Sequence, residues 1–93
     1  MTKPYTEEVF EQHGTGRPYI IRKFELDVED DELVWHRDTM NRKVHILSGT
    51  GWKIQFDNEL PKDLEIGGKY FIQKQQYHRL LKGNEPLVVR IEQ

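Results

Sequence analysis

From Pro18 onward, apolar and polar residues alternate along the chain with a period of two. Ile20, Phe24, Leu26 and Val28 share one parity and Lys23, Glu25 and Asp27 the other, with only Arg22 breaking the apolar side. Successive side chains of a strand face opposite sides, so this pattern predicts a half-buried strand. A second run passes through Val34, His36 and Asp38, and a third through Arg42, Val44 and Ile46. Gly49-Thr50-Gly51 predicts a turn into Trp52, Ile54 and Phe56, so these two arms read as a central hairpin. Further short runs follow around Leu64, Tyr70, His78 and Val89, divided by Asn58-Glu59-Leu60-Pro61, Gly67-Gly68 and Gly83-Asn84-Glu85-Pro86. No interval is long enough for a crossover helix. The expected fold is therefore all-β, an antiparallel sandwich or barrel.

The start of the chain reads differently. Glu7 to His13 predicts about two helical turns ended by Gly14 as a C-cap. Residues 1–17 are accordingly expected to form an N-terminal arm or short helix, and residues 18–93 the barrel domain. Gly14-Thr15-Gly16 is not preceded by an apolar strand, so it reads as a loop and not as a phosphate cradle.

Composition narrows the function classes. The chain has 93 residues, one domain's worth, with 35% hydrophobic and 32% charged residues and a formal charge of −2. The longest charge run, Asp27 to Glu32, is acidic, and no basic block marks a nucleic-acid partner. There is no cysteine, which excludes disulfides, thiolate catalysis and Cys-based zinc sites. No apolar run approaches a membrane span and no signal-peptide pattern opens the chain, so a cytoplasmic protein is expected. A small core makes a homodimer an expected source of extra buried area. Trp35, on the face opposite His36, is a candidate contact for it.

Parity also locates the candidate chemistry. If register holds across Thr39 to Asn41, His36, Asp38 and Arg42 share the inward face with Val44 and Ile46, while His45 and Gln55 point outward. Uncompensated burial of such groups costs several kcal/mol each, so they need partners, a metal or a wet cavity. His78, later in the chain, is the further imidazole that such a cavity would gather. Tyr70 is a candidate phenol for the cavity, and Arg79, with Tyr77, a candidate for its rim.

At these residues the chain resembles the cupin family of small jelly-roll barrels. The first cupin motif opens with His-x-His, places a Glu a few residues later and closes at a glycine turn. It is matched by His36-Arg37-Asp38, with Arg42 at the Glu position and Gly49 at the turn. The second motif runs from a glycine through a Pro-x-Gly turn to a His. Gly67 to His78 matches it, with Gln73 and Gln75 in place of Pro and Gly. The resemblance covers roughly residues 18 to 92 and implies a cupin-like double-stranded β-helix. It also implies a divalent metal (Fe, Mn, Zn or Ni) held by His36, Asp38 and His78, with no organic cofactor. Arg42 replaces a ligand and cannot itself coordinate, being permanently protonated. Two His and one carboxylate remain, a facial set suited to non-haem iron. His-x-Asp with a distant His is also similar to the iron motif of 2-oxoglutarate oxygenases, whose flanking helices have no counterpart here.

Two function classes follow. One is a metal-dependent dioxygenase, isomerase or lyase acting on a polar or anionic small molecule. The other is a metal-free ligand-binding or oligomerisation module. In the second, Arg42 pairs with Asp38, or Arg42 and His78 recognise an anion; Arg42, Tyr70 and Arg79 are the ligand-binding candidates.

Overall fold

Eight strands, all paired antiparallel, build two sheets, and no α-helix occurs among the described residues. The structure, a computed structural model, describes residues 5–11, 14, 16–27 and 33–92. The strands are β1 (Tyr5–Glu11), β2 (Pro18–Phe24), β3 (Arg42–Ser48), β4 (Lys53–Phe56), β5 (Lys62–Asp63), β6 (Lys69–Ile72), β7 (His78–Leu81) and β8 (Leu87–Glu92). One sheet has the order β1-β2-β8-β3-β6 and the other β5-β4-β7. The two pack face to face, as an alternating apolar pattern requires.

The inner faces meet in a single core of Phe24, Leu33, Ile46, Trp52, Ile54, Phe56, Leu64, Ile72, Leu87, Val89 and Ile91. Its centre is Trp52, fully buried, with its indole tilted against Phe24 at a centroid distance of 5.9 Å. The indole N–H donates to the Glu85 carbonyl, so the ring's one polar group is satisfied inside. Strand β8 shows the expected strict alternation, with Leu87, Val89 and Ile91 buried and the residues between them only partly so.

Three sequence expectations are corrected by the fold. Tyr5–Glu11 is a strand, where a helix over Glu7 to His13 was predicted, and His13 lies outside the described residues. An isolated helix of two turns is marginal in water. Pairing with all seven residues of β2 satisfies the backbone instead, stacks Phe10 on Tyr19 and joins Glu7 to Arg22. Second, β3 and β4 are not a hairpin: β3 pairs with β6 and β8, β4 with β5 and β7. The Gly49-Thr50-Gly51 turn therefore carries the chain from one sheet to the other. Gly49 has a φ of 112°, and a Cβ there would lie 2.7 Å from the Pro86 carbonyl oxygen, so only glycine fits. Third, β2 ends at Phe24, and Leu26 is exposed in the turn that follows. Val28 lies outside the described residues.

Candidate metal centre

His36 and His78 face each other across an isolated antiparallel bridge. His36 N–H donates to the His78 carbonyl at 3.0 Å, and His78 N–H donates to the His36 carbonyl at 2.9 Å. Residues directly opposite in such a pair put their side chains on one face. The backbone thus forces the two imidazoles together, with ring centroids 4.3 Å apart. Asp38 is two residues beyond His36 and shares its face. The Gln75 N–H holds the Asp38 carbonyl at 2.7 Å from the second motif. Gln75 sits where the cupin resemblance would have Gly, and it has a φ of 65°. The local conformation of that turn is kept without the residue that adopts it most readily.

The ring protons are set by the backbone. Nδ1 of His36 lies 2.9 Å from the Val34 carbonyl oxygen, and Nδ1 of His78 lies 2.8 Å from that of Gln76. A carbonyl only accepts, so Nδ1 carries the proton in both rings and the neutral form leaves a lone pair on Nε2. Metal-ligating histidines are commonly oriented in this way. Burial pushes the His78 pKa below its ordinary 6.5, helped by nearby His36 and Arg42 and opposed by the Gln76 hydrogen bond and Asp38. His78 is therefore neutral at neutral pH, the form a metal needs.

The carboxylate divides its oxygens. Asp38 Oδ1 lies 3.5 Å from Arg42 Nη1, and Oδ2 lies 3.5 Å from His78 Nε2. Oδ2 is buried and has no hydrogen-bond partner. One ligand atom each from His36, Asp38 and His78 falls within 4.8 Å of the others. Two imidazole lone pairs and an orphaned buried carboxylate oxygen fit a divalent ion of the zinc or iron type, with coordination positions left over.

The cluster lines one side of a cavity of about 350 Å³ between the sheets. The rest of the wall is largely apolar and includes Phe24, Leu33, Ile54, Ile72, Leu87 and Ile91. Of the ligand-binding residues expected from sequence, Arg42 and Tyr70 line this cavity. Tyr70, however, offers only its ring: its hydroxyl accepts from the Glu65 N–H and donates to the Asp63 carbonyl. Arg79 does not reach the cavity. It follows His78 on β7 and so points to the outer face, where it donates to Gln55 and covers the Trp35 ring at 4.9 Å. Tyr77 is also outside, beneath the Arg37 guanidinium at 4.5 Å.

A cavity residue that sequence reasoning passed over is Arg22, which donates from both Nε and Nη2 to Glu7 Oε2 at 3.0 and 2.8 Å. Its interruption of an apolar parity was the visible signal.

No protein-family model matches the chain. No curated protein matches it either. Solved structures do match. A cupin-2 domain protein from Shewanella frigidimarina NCIMB 400 aligns with a TM-score of 0.68 at 20% identity, over 99% of this chain and 83% of the other. The DMSP lyase DddQ from Ruegeria pomeroyi DSS-3 aligns with a TM-score of 0.73 at 12% identity, over 95% of this chain. The Fe(II) form of HppE aligns with a TM-score of 0.68 at 17% identity, over 95% of this chain. This chain spans 45% of the DddQ chain and 50% of the HppE chain, about half of either. No helix among the described residues is long and apolar enough to cross a membrane. The chain has a cupin-like fold, and it brings His36, Asp38 and His78 together on the inner wall of the barrel.

Proposed function

We propose that this protein is a metal-dependent cupin whose barrel binds a polar or anionic small molecule beside an ion held by His36, Asp38 and His78. The observation that carries this reading is the orphaned, buried Asp38 Oδ2, 3.5 Å from His78 Nε2, in a cluster with two imidazoles whose Nδ1 protons are already engaged by backbone carbonyls. Burying an acceptor without a partner is unfavourable, and an ion supplies the missing one. A bound divalent ion would add Lewis acidity or, if redox-active, oxygen activation.

The chain's own residues would do the rest. His36 and His78 keep Nε2 free by donating Nδ1–H to the backbone. Arg42 neutralises Asp38 on one side and reads negative charge on a ligand. The apolar wall excludes water from the body of the ligand. Structural neighbours include lyases and an iron protein by name, which makes lyase and oxygen-dependent chemistry the classes to assay first.

Metal content tests the reading. Protein purified without chelator should carry a first-row divalent ion, and His36→Ala and His78→Ala should each lower occupancy by at least roughly tenfold, the scale of effects seen around metal sites. Unchanged metal content in both variants would show that the ion, if present, sits elsewhere. If the wild type carries no ion and binds none when titrated, a metal-free ligand pocket built on the Asp38–Arg42 pair takes its place.

A further inference from the structure

Arg42 stands on β3 at the polar end of the cavity, with Nη1 3.5 Å from Asp38 and Nε buried without a hydrogen-bond partner. A guanidinium does not lose its proton inside a protein. Within the cluster, then, Asp38 contributes one negative charge and Arg42 one positive charge, while imidazoles that ligate through Nε2 are neutral. The other cavity-lining arginine, Arg22, is matched by Glu7. The lining is close to neutral before an ion arrives. A divalent cation would leave two positive charges uncompensated in a largely apolar chamber, close to a fixed cation, which like-charge repulsion and poor solvation both oppose.

We infer that occupancy of the His36–Asp38–His78 site is coupled to an organic carboxylate, which binds between the ion and the Arg42 guanidinium and lays an apolar body against the core wall. This inference rests on the metal-binding reading above. The chemical class follows from the shape of the site. A planar fork of donors matches a carboxylate, and Arg42 already stands beside that of Asp38, with Nη1 3.5 Å from Oδ1. The remaining wall of Phe24, Leu33, Ile54 and Leu87 offers hydrocarbon contact, and about 350 Å³ is within the range of small-molecule sites. Linkage makes the coupling reciprocal: the carboxylate strengthens ion binding by the factor by which the ion strengthens carboxylate binding.

Calorimetric titration with Co²⁺ tests this, with the visible d–d spectrum as a second readout of coordination. The probes are acetate, butanoate, hexanoate and octanoate, with octanol as the uncharged control. For the wild type, at least one of the longer alkanoates should tighten Co²⁺ binding tenfold or more and shift the spectrum, while octanol leaves both unchanged. Arg42→Gln and Arg42→Glu should bind Co²⁺ more tightly than the wild type without any alkanoate, Glu more than Gln, and should lose the alkanoate effect. Circular dichroism checks that both variants fold, and Gln serves if Glu does not. The inference is overturned if neither variant binds Co²⁺ more tightly than the wild type, or if no alkanoate changes wild-type affinity. His36→Ala and His78→Ala separate the two claims. If they bind Co²⁺ as the wild type does, the site itself is misplaced. If they abolish binding while Arg42 variants change nothing, the site stands and its coupling to a carboxylate falls.

Discussion

His36 and His78 are partners in one backbone bridge, yet the regions that carry them differ. His78 opens β7, a strand paired with β4 along its length; it is 3% exposed, with its ring 6.0 Å from that of Phe56. His36 lies in residues 33–38, a segment that joins no ladder: Leu33 is buried in the core, but around His36 the ties are that one bridge, the Gln75–Asp38 and Arg37–Tyr77 hydrogen bonds and the contacts of Asp38 with Arg42 and His78, and His36 itself is exposed. The first ligand is held by the core. The second is held by its immediate neighbours. On the outer face, directly behind the bridge, Arg79 covers Trp35 at 4.9 Å and Arg37 covers Tyr77 at 4.5 Å. These four residues flank the two histidines in sequence, so the pairs brace the same two strands from behind. A metal site can thus have one side built into the stability of the domain and the other side held by interactions worth about 1 kcal/mol each.

Substitutions at three positions press on this contrast. The largest effect is expected at the core. Trp52→Ala removes a fully buried ring and its hydrogen bond to Glu85, and should cost about 3–5 kcal/mol by urea denaturation. For a domain whose total stability is of the order of 5–15 kcal/mol, that is a large share. A loss below about 1 kcal/mol would mean that the two sheets do not close on this residue as described.

Trp35→Ala should behave in the opposite way. Its stability cost should be about 0.5–1 kcal/mol, because it removes one half-exposed cation–π pair. Its effect on the metal should be larger in proportion, with Co²⁺ affinity falling roughly tenfold as His36 loses its brace. Trp35→Phe, which keeps a ring under Arg79, should recover most of that affinity. Equal affinity in the wild type and in Trp35→Ala would remove the bracing role.

The smallest effect is a gain. Gln75 has a φ of 65°, which a β-carbon disfavours, so Gln75→Gly should raise the midpoint of unfolding by about 0.5–1 kcal/mol equivalent. A loss of stability would show that the Gln75 side chain, and not only its N–H to Asp38, holds the turn.

The division between the two regions also explains what the sequence reveals. Period-two alternation in β2, β3, β4 and β8 is a local signal with a local cause, burial of one face, and the all-β reading follows from it. Parity puts His36 and Asp38 on one face of their segment; that this face is the inner one followed only if register held across Thr39 to Asn41. The same rule turns Arg79 outward, since it follows the inward His78 on the same strand, against its expected place at the cavity rim. What could not be read were consequences of long-range pairing. Tyr5–Glu11 has three glutamates and a glycine downstream, and only its ladder with β2 makes it a strand. The sheet switch at Gly49 depends on Pro86 and Leu87, far along the chain. The Tyr70 hydroxyl is taken up by the backbone of Asp63 and Glu65, which no pattern of residue types announces.

The central claim concerns three atoms: Nε2 of His36, Nε2 of His78 and Oδ2 of Asp38. An anomalous difference map from crystals grown with Co²⁺ and octanoate, collected on either side of the cobalt edge, tests it most directly. One peak is expected, in the cavity bounded by those atoms. Crystals with cobalt elsewhere, or with none and Asp38 still closed onto Arg42, would contradict it.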